Sequence, residues 1–182
     1  MTDITLVELT SRDFMQWAEH LNRQIAESGQ AGSPVFAPDP EVDFLNDERK
    51  QRFEIRIALP TSGSGWMKVW AFSDTGGRLI AHVDLNSSPM RSERHRVMLG
   101  IGVEKAFHRQ GFGVALLRVA IDFAAANRIE WIDLSVLGGN EAAIALYRSL
   151  GFEEIGRRRD RFRIGGQSID DVMMSLRSRP AA

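Results

Sequence analysis

The sequence predicts an α/β domain in which strands and helices alternate around one sheet. Three observations carry this prediction. An apolar run at Val97–Val103 leads through a glycine-containing loop into a helical apolar pattern at residues 115–124. A second apolar strand, Trp131–Leu137, leads through Gly138-Gly139 into another helical pattern. Two further strand-like segments meet at Gly165-Gly166, a dipeptide typical of tight β-hairpins.

The remaining elements follow from the same signals, taken along the chain. Alternation and β-branched or aromatic runs bounded by turn residues predict strands, and 3.6-residue apolar spacing behind a capping residue predicts helices. Strands are predicted at residues 4–9, 66–72, 79–85, about 94–103, 131–137, 153–164 and 168–176. Helices are predicted from Ser11 or Asp13, over 43–57, after Gly111, and from Asn140 to Gly151, with a loop at Ser28–Pro40.

Composition narrows the classes of function. The 23 Lys and Arg residues nearly balance 24 Asp and Glu residues, which argues against nucleic acid as a partner. The chain has no cysteine, so a disulfide framework, a thiol nucleophile and a zinc–thiolate site are excluded. Neither a signal-peptide pattern nor a membrane-length apolar run is present, so no membrane partner and a cytoplasmic location are expected. A length of 182 residues fits one domain, 1–182.

The segment His108–Val114 is a candidate phosphate-binding loop. Free backbone N–H groups at a helix start attract anions, and Gly111 and Gly113 let a ligand approach the backbone. An ordinary strand-to-helix turn fits the loop equally well. A dinucleotide fingerprint is excluded because Lys105 stands where its third glycine belongs, and the Gly-Lys-Ser/Thr ending of a P-loop is absent.

A second motif narrows the choice. Behind Trp131–Leu137 come Asn140, Ala143, Tyr147 and Gly151-Phe152, and with the loop at 108–114 this pattern resembles the GCN5-related N-acetyltransferase (GNAT) superfamily. The resemblance is close over about 78–176. It implies a central mixed, mostly antiparallel, twisted sheet of about seven strands flanked by about four helices, with two central strands splayed around the cofactor. It also implies a cofactor-binding core at about 94–152 and acceptor-side elements at about 10–60 and 153–176.

The resemblance implies acetyl-CoA as co-substrate and no metal. The loop would wrap the pyrophosphate with backbone N–H groups, and the central strand would pair with the pantetheine amides. The family has Arg or Gln where this chain has His108, a departure of little weight if the backbone carries the binding. The cofactor-binding residues so implied are Ile101, Gly102, Val103, Arg109, Gln110, Gly111, Phe112, Gly113, Val114, Asn140 and Tyr147.

The same resemblance assigns the catalytic roles. Tyr147, the only tyrosine, would be the general acid that protonates the leaving thiolate, although it also reads as a core aromatic residue. Asn140 would bind the pantetheine arm, cap its helix, or both. The base is open: some relatives carry a glutamate where this chain has Ser135, and the candidates here are His95 and Asp84, followed by His82, Glu104 and a water chain.

The sequence therefore predicts transfer of an acetyl group from acetyl-CoA to a primary amine of a small molecule, by direct attack in a ternary complex. The terminal hairpin resembles that of small bacterial acetyltransferases acting on amino acids or related amines. The same hairpin occurs in ribosomal-protein acetyltransferases, so a peptide or protein acceptor is the alternative. A non-catalytic acyl-CoA-binding regulatory module is a second alternative. Many relatives form dimers, which makes a homodimer an expectation.

Overall fold

In a computed structural model the protein is described over residues 4–39 and 41–178, so Pro40 at the end of the predicted loop, and both ends of the predicted 1–182 domain, lie outside the described residues. The helices and strands fall close to the predicted segments. The strands are β1 (Thr5–Glu8), β2 (Met67–Ser73), β3 (Leu79–Ser87), β4 (Arg96–Val103), β5 (Trp131–Leu137), β6 (Glu153–Ile164) and β7 (Gln167–Arg177). The α-helices are α1 (Phe14–Glu27), α2 (Asp47–Ala58), α3 (Phe112–Ala126) and α4 (Glu141–Ser149).

All seven strands join one sheet in the order β1-β2-β3-β4-β5-β7-β6. Every neighbouring pair is antiparallel except β4 and β5, which run parallel. Parallel neighbours need a crossover connection, and α3 supplies it here. The predicted mixed, mostly antiparallel sheet of about seven strands and four helices is therefore confirmed.

The parallel pair opens along its length. Backbone pairing between β4 and β5 covers three positions and ends at Met98 opposite Asp133. From there β4 stays paired to β3 as far as Val103, while β5 stays paired to β7 as far as Leu137. The two facing edges beyond Met98 and Asp133 thus separate, which is the splay that the sequence predicted.

The two faces of the sheet are packed by different helices. Leu99 on β4 and Leu134 on β5 belong to a core that includes Leu116 of α3 and Ile144 of α4. The opposite face is covered by α1 and α2, with Phe53 among the buried residues there. Strand side chains alternate between these faces, so residues next to each other on β3 or β4 contact different helices.

Two predicted boundaries are corrected. The central strand begins at Arg96 rather than Arg94, because a short 3₁₀ helix at Arg91–Glu93 precedes it and the His95 carbonyl accepts the N–H of Trp131 across the turn. The second helix begins at Asp47 rather than Asp43, because the Asn46 side chain caps it by accepting from the Arg49 N–H at 2.9 Å. Within the described residues no helix is long and apolar enough to cross a membrane.

Candidate active site

The loop before α3 leaves backbone donors free. Gly111 has a φ of +88° and turns the chain into the helix, and the first helical bond runs from Ala115 N–H to the Gly111 carbonyl at 3.0 Å. No side chain caps this helix, whereas Asn46 and Asn140 cap α2 and α4. A Cβ at Gly111 would meet no atom within 4 Å. The first turn of α3 thus has no side-chain cap and begins beside open space at Gly111, as an anion site requires.

Side chains within the loop hold its shape. The His108 ring donates from Nε2 to the Val103 carbonyl at 2.8 Å, and the Gln110 amide donates to the Ala106 carbonyl at 3.1 Å. Arg109 adopts a positive φ of 60° and is exposed. His108 thus holds the loop to the end of β4, although the family pattern has Arg or Gln at this position.

Gly113 makes a helix contact that the sequence analysis did not predict. A Cβ at this position would lie 3.1 Å from the Leu146 side chain of α4, so the absence of a side chain lets α3 and α4 pack closely. This helix contact concerns the side-chain direction of Gly113, and the approach of a ligand to its backbone stays a prediction. The contact brings the start of α3 beside the helix that carries Tyr147.

Tyr147 and Asn140 both sit on α4. Tyr147 is buried in the core with Leu99 and Leu134, and its ring centroid lies 5.8 Å from that of Phe152. Burial raises the pKa of Tyr147 to about 12, so its hydroxyl stays protonated at neutral pH. Asn140 accepts from the Ala143 N–H at 3.3 Å, and this bond confirms its predicted capping role.

Asp84 approaches the splay from the other face. It lies opposite Gly100 in the β3–β4 register, and its carboxylate occupies the space where a Cβ on Gly100 would stand. Gly100 is two residues beyond the last β4–β5 pair, so Asp84 lies over the open part of the strand. The site thus carries Tyr147 on one side of the gap and the predicted base Asp84 on the other.

The helix α1 places side chains over the same surface, and sequence reasoning missed them. The Gln24 amide fills the space above Gly102, and its Nε2 is a buried donor without a partner in the structure. His20 is fully buried and bonds both His82 and Glu104. The sequence signal was polar residues recurring at positions 20 and 24 on the inward face of an amphipathic helix.

His95 lies at the paired end of β4. It is exposed in the turn before Arg96, whereas the splay begins only after Met98. The structure therefore brings Asp84, but not His95, to the open part of the sheet, and the role of each as base remains a prediction.

A carboxylate also stands near the position where relatives carry glutamate. Ser135 on β5 is exposed, and its hydroxyl donates to Asp171 of β7, which is buried. Asp133 on the same face bonds Arg96 through two contacts of 2.8 and 2.7 Å. The face opposite Tyr147 is thus lined with acidic groups. Among the described residues, no group of three or more His, Asp or Glu side chains could hold a metal ion.

An open parallel strand pair beside an uncapped helix start gives this α/β domain a place for an anionic ligand. The chain belongs to the acetyltransferase (GNAT) family, whose model matches residues 33–152. The predicted resemblance is confirmed.

Curated relatives share part of the chain. The N-alpha-acetyltransferase RimI of Mycobacterium tuberculosis is 36% identical over 96 residues, which is 50% of this chain and 56% of that protein. The [ribosomal protein bS18]-alanine N-acetyltransferase of Escherichia coli K12 is 38% identical over 79 residues, 43% of this chain and 53% of that protein. The L-methionine sulfoximine/L-methionine sulfone acetyltransferase of Pseudomonas paraeruginosa is 28% identical over 109 residues, 59% of this chain and 63% of that protein. The chain thus spans little more than half the length of the first two relatives.

Solved structures show the same fold over nearly the whole chain. A GNAT-family acetyltransferase from Streptococcus pneumoniae superimposes with a TM-score of 0.81 at 24% identity, covering 96% of this chain and 99% of that one. The yncA protein of Salmonella typhimurium, solved with its cofactor acetyl-CoA, gives a TM-score of 0.78 at 20% identity, covering 99% and 96%. At these identities the likeness is one of fold.

Proposed function

We propose that this protein is an N-acetyltransferase that moves the acetyl group of acetyl-CoA to a primary amine of a small molecule. One observation carries the proposal: the gap between β4 and β5 has an uncapped helix start and a protonated phenol on one face, and a carboxylate on the other. A phosphate-bearing thioester would enter from the first side. An amine, which is cationic in water, would enter from the second.

Acetyl-CoA supplies an electrophilic thioester carbonyl to this site. The N–H groups at the start of α3 would bind its pyrophosphate, and the unpaired edge of β4 at Ile101–Val103 would bond its amides. Tyr147 would donate its proton to the departing sulfur, and its raised pKa keeps the phenol protonated at neutral pH, so that the proton is present when the thiolate leaves. Asn140 holds the first turn of the helix on which Tyr147 sits.

The packing of α1 supports a small acceptor. Its residues His20 and Gln24 are buried against β3 and β4, directly above the splayed strand. The far end of α1 is tied down as well, because Glu27 accepts from the Lys105 N–H at 2.9 Å. A helix held this closely over the acceptor face narrows the space available to a substrate.

A peptide N-terminus is the second candidate acceptor. Two of the curated relatives are N-terminal or ribosomal-protein acetyltransferases, with 36% and 38% identity over the matched segments. The part of the acceptor face beyond α1 is also open, since Met98 is 50% exposed and Ser135 is exposed. A peptide could leave the site along this side.

Thiol release from acetyl-CoA tests the proposal, with a panel of amino acids, polyamines, aminoglycosides and short peptides as acceptors. A small amine should give the highest kcat/KM. A peptide that outperforms every small amine would select the second candidate. Calorimetric binding of CoA without turnover on any acceptor would instead support the regulatory binding module.

Tyr147→Phe probes the chemistry directly. Loss of the acid should lower kcat by about 10²-fold or more, while CoA affinity changes less than twofold. An unchanged kcat would remove Tyr147 from the mechanism.

A further inference from the structure

Four titratable side chains form a continuous row of polar contacts between α1 and the sheet. The His20 Nδ1 lies 2.9 Å from a Glu104 carboxylate oxygen, and the His20 Nε2 lies 3.0 Å from the His82 Nδ1. The His82 Nε2 lies 3.5 Å from an Asp84 carboxylate oxygen. This row therefore runs from the end of β4, through the core, to the carboxylate that covers Gly100.

The hydrogen bonds fix which ring nitrogens carry protons. Although burial opposes ionisation of Glu104, hydrogen bonds from His20 and Arg23 hold the pKa of its carboxyl below its usual range. An ionised carboxylate only accepts, so His20 must donate from Nδ1. Burial also lowers the pKa of His20 to about 4, so this ring is neutral at pH 7 and its Nε2 is an acceptor.

The same logic fixes His82. Because the His20 Nε2 accepts, the His82 Nδ1 must carry the hydrogen, and a neutral His82 then has its lone pair on Nε2. That lone pair faces the Asp84 carboxylate, which leaves a place between them for one added proton. A proton arriving there turns two opposed acceptors into an ion pair.

We propose that His82 and Asp84 together form the base that accepts the amine proton, with His20 and Glu104 as positioning residues that keep the His82 Nε2 free. This inference rests on the proposed function. The proposed base is therefore His82, which would receive the proton by way of Asp84 and whose ring is oriented by His20 of α1.

The proton and bond changes balance. An R–NH₃⁺ acceptor loses one proton to the His82–Asp84 pair, and the resulting neutral amine attacks the thioester carbonyl. As the C–N bond forms and the C–S bond breaks, the amine nitrogen loses a second proton to solvent, and the sulfur takes one from Tyr147. Solvent water reprotonates Tyr147, and the His82–Asp84 pair releases its proton when the product leaves. The net result is one proton released per acetyl group transferred.

Charged residues lie next to both ends of this row of four side chains. Arg23 of α1 bonds Glu104 at 2.9 Å, and Arg78 of the β2–β3 turn bonds the other oxygen of that carboxylate. Arg56 of α2 lies within electrostatic range of Asp84, and Asn86 donates to the second oxygen of Asp84. Removal of the Glu104 charge leaves the arginines uncompensated and disfavours a cationic His82.

Imidazole ¹⁵N NMR of the wild-type protein tests the arrangement without turnover. We expect His20 and His82 to show the Nδ1–H tautomer at pH 7, with His20→Gln and His82→Gln assigning the signals. His20 should stay neutral down to about pH 5, given its pKa of about 4. A neutral His82 carrying its proton on Nε2 would overturn the proposal.

Kinetics on the best acceptor of the panel test the chemistry. His82→Gln and Asp84→Asn should each lower kcat by about 10²-fold, with the KM for acetyl-CoA within twofold. Glu104→Gln keeps an acceptor for His20 but not its charge, so kcat should fall about tenfold and the acidic limb of its pH profile should move to lower pH. Asp122→Asn, on the exposed side of α3, is the matched control and should leave both unchanged.

The outcomes separate the two claims. A wild-type protein that releases no thiol with any amine overturns the proposed function, and this inference with it. An active wild-type protein whose His82→Gln variant keeps most of its kcat overturns only the assignment of the base. An unmoved pH profile in Glu104→Gln would contradict the positioning role, because loss of a purely structural contact does not shift the profile.

Discussion

The single tyrosine makes the burial of the proposed acid directly measurable. An exposed phenol ionises near pH 10, whereas burial raises the pKa of Tyr147 to about 12. Between these values the unfolded chain loses the phenol proton and the folded protein keeps it. Stability should therefore decline from about pH 10 upward, by about 2 kcal/mol at pH 12, because each pH unit between the two pKa values corresponds to about 1.4 kcal/mol.

The alkaline increase in absorbance near 295 nm reports tyrosinate over the constant absorbance of the four tryptophans, and the chain has one tyrosine to ionise. The native protein should titrate with a midpoint near 12, or ionise abruptly where far-ultraviolet circular dichroism reports unfolding. In strong urea the midpoint should fall to about 10. Tyr147→Phe should abolish the signal and flatten the alkaline loss of stability. A midpoint near 10 in a protein that is still folded would refute the burial argument and the protonated state of the proposed acid.

Three other predictions follow from single contacts. Gly111→Glu should abolish CoA binding, measured by calorimetry, because it places a carboxylate in the open space before α3. The control Gly111→Ala adopts the same positive φ and should retain CoA binding. Equal CoA affinity in the wild type and Gly111→Glu would contradict the loop assignment. The pKa of His20 is about 4 in the folded protein and about 6.5 in the unfolded chain. The free energy of unfolding should therefore fall by about 3 kcal/mol as the pH drops from 6.5 to 4. Urea unfolding of His20→Gln should show a weaker pH dependence of stability over that range. Arg96→Gln should cost about 1 kcal/mol in urea unfolding, since the partly exposed Arg96–Asp133 pair clamps β4 to β5 at their last paired position; no loss relative to Arg118→Gln, an exposed residue of α3, would show that the clamp contributes nothing.

Much of the fold could be predicted because the determining signals are local. Apolar alternation, glycine turns and capping residues lie within a few positions of the elements that they define, as Asn140 and Gly165-Gly166 illustrate. The family pattern supplied what periodicity cannot, namely the mixed character of the sheet and the separation of β4 from β5.

The acceptor side could not be predicted in the same way because its contacts join distant parts of the chain. His20 and Glu104 are 84 positions apart, and His20 and His82 are 62 apart. Nothing in the local pattern pairs them, and a polar residue on a helix face reads as solvent-facing until the neighbouring strand is in place. The packing of Gly113 could not be predicted for the same reason, since its partner Leu146 lies on another helix.

The glycines of β4 have a consequence for how such a domain changes its substrate. Gly100 and Gly102 carry no side chains, and the space above them is filled by Asp84 and Gln24, which come from other elements. Under the proposed function, the side chains that would contact an acceptor come from α1 and β3, whereas the loop proposed to bind the cofactor is a separate segment of the chain. Exchange of Gln24 for a smaller residue should enlarge the acceptor space and leave the anion site as it is. If the proposed function holds, substitution of a few residues on one helix would change the acceptor without changing the acyl donor.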